Sequence, residues 1–118
     1  MDEKIKIYLT HILQNIEKVE KFSKGLNKEG LFNDELKQYA IIRAIEVIGE
    51  AAKNLSNNFK EENKEIPWRE IIGSRDRIIH QYFGINMETI WQIIKNDLPK
   101  LKRDIEKILY SVNKKEEK

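Results

Sequence analysis

Apolar residues at Ile5, Leu9, Ile12, Leu13, Ile16, Val19 and Phe22 recur at three- and four-residue intervals. That spacing places them on one side of a helix turning about 100° per residue. It predicts a long amphipathic helix that ends near Lys24, because Gly25 to Gly30 brings in breakers and polar residues. A second helix is predicted from Asn33 or Asp34, either of them a good N-cap, to about Leu55. Its apolar arc contains Leu36, Ala40, Ala44, Val47, Ile48 and Ala51. The stretch Ser56 to Glu65 is polar and aperiodic and reads as a loop with Phe59 as its candidate anchor.

Ile66-Pro67-Trp68 reads as the entry to a third helix, with Pro67 at the first helical position, where a missing N–H is harmless. This helix is expected to run through Ile71, Ile72, Ile78 and Ile79 to about His80. Gly84 and the candidate N-cap Asn86 precede a fourth helix, which carries Ile90, Trp91, Ile94, Leu98, Leu101, Ile105, Ile108 and Leu109 on one side. Pro99 lies inside that pattern and is expected to kink or split it. No stretch has a strand pattern and none repeats. The expected fold is all-α, a four- to five-helix up-and-down bundle in a single domain over residues 1–113, with 114–118 a charged, frayed tail.

Composition narrows the chemistry. The 118 residues include no cysteine, which removes disulfides and thiolate metal sites. No apolar run approaches the roughly 20 residues of a bilayer-crossing helix, and the start of the chain has no signal core, so a cytoplasmic location is expected. The net charge of +2 is too small to announce a nucleic-acid binder. A local cluster of charge can nonetheless steer a polyanion. There is no glycine-rich phosphate loop and no His-Glu-x-x-His, and the two histidines, His11 and His80, lie in different predicted helices. No metal site and no cofactor are expected.

The remaining chemically suggestive segment is Arg75-Asp76-Arg77-Ile78-Ile79-His80-Gln81-Tyr82. On a helix extending to His80, Asp76 would share its side and could fix the imidazole tautomer and raise its pKa. Arg75 would reach from a neighbouring side to clamp a phosphate in bidentate fashion. Such groups suit metal-independent RNA cleavage, in which the ribose 2′-hydroxyl attacks the adjacent phosphorus. That reaction needs a base, an acid and a cation for the phosphorane. One imidazole does not easily serve both oxygens, so the chemistry favours a homodimer with two copies of Arg75 and His80 in one cleft. A plainer reading stays open: His80 as a helix C-terminal cation, Arg75 and Arg77 solvated, Tyr82 in the core. Tyr39, Arg43, Glu46 and Glu50 form a polar strip on the second helix. It is either a solvated face laced with ion pairs or the wall of the cleft, with Gly49 at its border allowing close helix approach.

The segment resembles the Arg-x4-His-x-Tyr signature of HepT-like toxins in the HEPN superfamily. Ala40 to Lys53, Ile66 to Ile71, Tyr82 to Ile85, Trp91, and Asp97 to Leu101 resemble further blocks of that family in the same order. The similarity spans roughly residues 5 to 110. It implies a homodimeric helical endoribonuclease in which Arg75 and His80 are catalytic, with Asp76, Glu46, Arg43 and Glu50 in support. It also implies an antitoxin partner, a nucleotidyltransferase of the MntA type that transfers AMP to the tyrosine matching Tyr82. The competing expectation is a non-catalytic helical subunit that holds nucleotide or substrate for a nucleotidyltransferase.

Overall fold

Helices in this chain begin where a short polar side chain can accept an otherwise unpaired backbone N–H. In the computed structural model, which describes the backbone of residues 1–80 and 84–116 and the side chains of 1–78 and 86–114, this happens repeatedly. Asp2 Oδ1 accepts from the Lys4 N–H at 2.8 Å and opens α1 (Glu3–Ser23). Asn27 caps α2 (Lys28–Phe32) through the Gly30 N–H at 2.7 Å. Asp34 caps α3 (Glu35–Lys53) through the Lys37 N–H at 3.0 Å. Ser56 does the same for α4 (Asn57–Glu62), within the stretch expected to be a loop. Each such cap contributes about 1 kcal/mol. At the other end of α1, Gly25 takes a φ of +79°, a left-handed turn that a residue with a Cβ resists.

α1 packs chiefly on α3, burying Leu9, Ile12, Ile16 and Val19 against a core that includes Ile41, Ile45, Ile48 and Ala52. The third helix of the bundle is broken rather than continuous. α5 (Trp68–Ile72) stops at Gly73, and α6 (Ser74–Ile78) restarts immediately, the Ser74 hydroxyl donating to Glu70 O at 3.0 Å. Gly73 is the weak point, having the highest conformational entropy to lose in a helix. Pro67 stands one position ahead of the expected one, as the N-cap of α5. Phe59 is buried and packs on Trp68 with ring centroids 6.0 Å apart, while the Trp68 indole N–H donates to Asn63 O. Those contacts fix α4 and α5 to each other.

The helix also ends earlier than expected. Ile79–His80 forms a short strand, β1, paired antiparallel with β2 (Gly84–Ile85) in the register Ile79 to Ile85 and His80 to Gly84. The Asn86 N–H donates to Ile78 O at 2.6 Å just beyond it. The helix stops at Ile78, and the β-branched Ile79 is well suited to the extended backbone that follows. A helix through His80, with Asp76 and His80 on one side, is therefore not what forms. The turn between the strands, residues 81–83 and so Tyr82, lies outside the described residues, as does the His80 imidazole.

α7 (Met87–Gln92), capped by Asn86, leads into a π-helical turn (Ile93–Asp97) and then α8 (Leu98–Glu116). The Leu98 N–H reaches back to Ile93 O, five residues away. Pro99 has no N–H to give Lys95 O, and the wider turn absorbs that deficit without splitting the rod. α8 continues to Glu116, into the segment expected to fray. Lys102 pairs with Glu20 at 2.9 Å, tying α8 to α1, and this hydrogen bond raises the Lys102 pKa above its ordinary value. Lys28 pairs with Glu88, tying α2 to α7, and that bond lowers the Glu88 carboxyl.

The result is an all-α bundle of the predicted kind, α1, α3, the broken α5–α6 and α7–α8, with one two-residue strand pair among the described residues. No helix among the described residues is long and apolar enough to cross a membrane. Ile48 lies in the core at 2% exposure. Ile48→Ala is expected to lower stability by about 2–5 kcal/mol in urea unfolding. A loss under about 1 kcal/mol would contradict its place between the helices.

Candidate active site

The second-helix strip and the segment around Arg75 meet. Gly49, buried on α3, allows this: a Cβ there would lie 3.3 Å from Ile71 O and 3.4 Å from Ile72 O. Without a side chain at this position, the carbonyl end of α5 comes directly against α3. α6 then continues alongside the preceding turn of α3, and Arg75 arrives beside Glu46. The Arg75 Nε lies 3.5 Å from Glu46 Oε2.

A cavity of about 260 Å³ occupies this junction, walled by Glu46, Glu50 and Lys53 of α3 and by Ile72, Arg75 and Asp76 of the broken helix. Among the described residues Glu46 is the ion-pair partner of Arg75. The contact is made through Nε at 3.5 Å. The Arg75 side chain is 62% exposed and that of Glu46 29%. The carboxylate thus directs the guanidinium without enclosing it. A planar donor fork held this way matches two oxygens of a phosphate.

Of the residues singled out from the sequence, Arg75, Asp76, Glu46 and Glu50 converge on one cavity. Arg43 and Tyr39 continue the strip toward the start of α3, where both are exposed, and neither is among the residues lining the cavity. The contact between Asp76 and His80, and the position of Tyr82, lie outside the described residues. Lys53 is an addition. Three positions beyond Glu50 and seven beyond Glu46, it extends the same helical strip, so its periodicity was the available signal.

Leu36 departs from expectation. It is 80% exposed rather than part of the apolar arc, and Tyr39 (61%) and Phe32 (42%) are exposed with it. Leu36, Tyr39, Arg43 and Glu50, with the half-buried Glu46 among them, therefore make a single stripe, apolar at one end of α3 and charged at the other. His11 lies on the exposed side of α1, away from the cavity, in a shallow hollow with Glu3, Lys6 and Gln14. Among the described residues no three His, Asp or Glu side chains are grouped to hold a metal ion.

A broken third helix that presents an arginine to a polar strip on the second, just ahead of a histidine, defines a small helical-bundle domain with a mixed-charge cavity. Residues 12–108 match the family model described as "Ribonuclease HepT-like", and the chain belongs to that family. A protein of Thermococcus cleftensis named as a probable ribonuclease HepT is 45% identical over 103 residues, covering 87% of this chain and 94% of the relative. A Caldanaerobacter subterraneus protein, provisionally designated an RNase, is 42% identical over 86% of this chain and 91% of its own length. A Methanocaldococcus jannaschii protein whose name pairs gamma-glutamylcyclotransferase with a provisional RNase designation is 43% identical over 97% of this chain. The chain spans about half of that relative, 51% of its length. No solved structure matches the chain.

The close approach at Gly49 can be checked directly. Gly49→Val is expected to push α5 away from α3 and to destabilise the fold by about 1–3 kcal/mol in chemical denaturation, in spite of glycine's poor helix propensity. An unchanged or raised stability would mean that the two helices do not meet there.

Proposed function

We propose that this chain is a metal-independent endoribonuclease acting as a homodimer. The observation that carries the reading is the meeting of Arg75 with Glu46 in a polar cavity next to the strand that bears His80. The naming of its relatives as ribonucleases points the same way.

In the proposed reaction the ribose O2′ forms a bond to the adjacent phosphorus and the bond from phosphorus to O5′ breaks. The products are a cyclic phosphate and a 5′-hydroxyl. His80 takes the 2′-hydroxyl proton, and a His80 from the second copy protonates the departing O5′. Arg75 neutralises the equatorial oxygens of the phosphorane, with Glu46 holding its guanidinium in place. Asp76, Arg43 and Glu50 support the cleft wall. The exposed apolar end of the α3 stripe, Leu36 and Tyr39, together with exposed Phe32 at the end of α2, supports a second copy lying along this side of the bundle.

The family resemblance extends the proposal to regulation. The chain is the toxin of a toxin–antitoxin pair, and a nucleotidyltransferase of the MntA type is its antitoxin. The Tyr82 oxygen attacks the α-phosphorus of ATP and pyrophosphate leaves. The added phosphodiester places negative charge beside the clamp and competes with RNA for Arg75.

Purified unmodified protein is expected to cut RNA in excess EDTA. His80→Ala should reduce the rate by at least about 100-fold while thermal unfolding stays unchanged. Cleavage that needs added metal, or that survives His80→Ala, overturns the mechanism. Co-expression with the nucleotidyltransferase should raise the intact mass by whole AMP increments. Loss of those increments in Tyr82→Phe locates the modification, whereas their persistence removes Tyr82 from the scheme.

A further inference from the structure

α6 carries Arg75 and runs into His80, yet it is only five residues long. A helix of little more than one turn does not hold its own geometry, so its placement comes from what surrounds it. Ile78 and Ser74 are buried and fix its depth. Four positions apart, the two share one side of the helix and set its rotation coarsely; the fine setting decides where Arg75 points.

Packing does not fully set that rotation. A cavity of about 220 Å³ lies beside α6, floored by Ile45, Ile48, Ile93 and Leu101 and reached by Ser74, Arg77 and Asp97. Along this side α6 rests over open space. Across it, Arg77 Nη1 lies 3.4 Å from Asp97 Oδ2. Arg75 and Arg77 are about 200° apart on a helix, so they leave α6 in nearly opposite directions. One is taken by Glu46 on α3 and the other by Asp97 at the end of the π-helical turn. The short helix is thus strung between two carboxylates.

The π-helical turn sets where the second carboxylate sits. Ile93 and Leu98, five positions apart, would be separated by about 140° on an α-helix; both are buried here. The extra residue in the turn that brings them to one side also determines the direction in which Asp97 leaves the rod. Pro99, which cannot donate to Lys95 O, keeps an ordinary α-helical turn from replacing it.

Resting on the ribonuclease reading above, we infer that Asp97 is a positioning residue for the reaction, acting through Arg77 to hold α6 in the rotation that presents Arg75 to the phosphate. Asp97 does not touch RNA in this scheme. Its removal therefore affects the rate of the chemical step more than substrate capture.

The test is steady-state cleavage of a short single-stranded RNA by the full chain, with thermal unfolding measured on the same samples. Asp97→Asn is expected to lower kcat about tenfold, a misplacement effect, with KM changed by less than about twofold and the unfolding temperature retained. Arg77→Met should give the same loss, and the double variant should be no worse than either single one. Asp97→Glu, or the exchange Arg77→Asp with Asp97→Arg, should recover most of kcat. A wild-type kcat in Asp97→Asn, a loss confined to KM, or no recovery in either of the last two variants overturns the inference and leaves the ribonuclease reading intact. A wild-type chain that cuts no RNA overturns both.

Discussion

The approach of two backbones at Gly49 sets the geometry of everything nearby. The Ile71 and Ile72 carbonyls lie where a side chain on residue 49 would otherwise stand. Helices normally keep 8–10 Å between axes because side chains separate them. Removing one side chain at the crossing lets α5 come in closer, and α6, joined to it through Gly73, follows. The Arg75–Glu46 contact is a consequence of that spacing, since neither long side chain could choose the distance between the helices that carry them.

The site is electrostatically mixed. Three carboxylates and two cations surround the cavity: Glu46, Glu50 and Asp76 against Arg75 and Lys53. A uniformly basic pocket would attract any polyanion over a long range. Here the charges nearly balance, with one carboxylate in excess, so the cavity exerts little long-range pull and acts mainly at contact. At 62% exposure the Arg75 side chain stays hydrated, so its pair with Glu46 adds little to stability. Its effect is orientation: Glu46 meets the guanidinium at Nε and limits where it can swing.

The bundle was legible in the sequence because its three long helices carry strong periodic patterns, two of them, α1 and α3, behind explicit caps. Leu9, Ile12 and Ile16 on α1, and Leu98, Leu101 and Ile105 on α8, are buried as their spacing requires. The short elements were harder to read. A five- or six-residue helix such as α4 has too few positions to establish a period, and only its Ser56 cap announced it. Gly73 was one glycine inside an apolar pattern, and whether it breaks a helix depends on the packing of Trp68 and Ile78 on either side. Leu36 was misplaced because a helical wheel assigns a side to each residue but cannot say where the neighbouring helix ends. The pairing of Arg75 with Glu46 joins residues 29 positions apart. Polar strip and motif were each visible alone, and the close approach that joins them is a tertiary fact.

Dividing the third helix into two single turns also distributes cooperativity unevenly along the chain. α1, α3 and α8 each bury several large side chains and make long runs of internal hydrogen bonds. Trp68 to Ile85 has one-turn helices and a two-residue strand pair, held by a few anchors. Within it, α5 and α6 are too short to make long runs of hydrogen bonds of their own, the kind of element expected to open at lower free energy than a long helix. Amides of α5 and α6 are then expected to exchange through local excursions, while those of the long helices wait for global unfolding. Arg75 thus stands on the least cooperative kind of element, carried by a scaffold of the most cooperative kind.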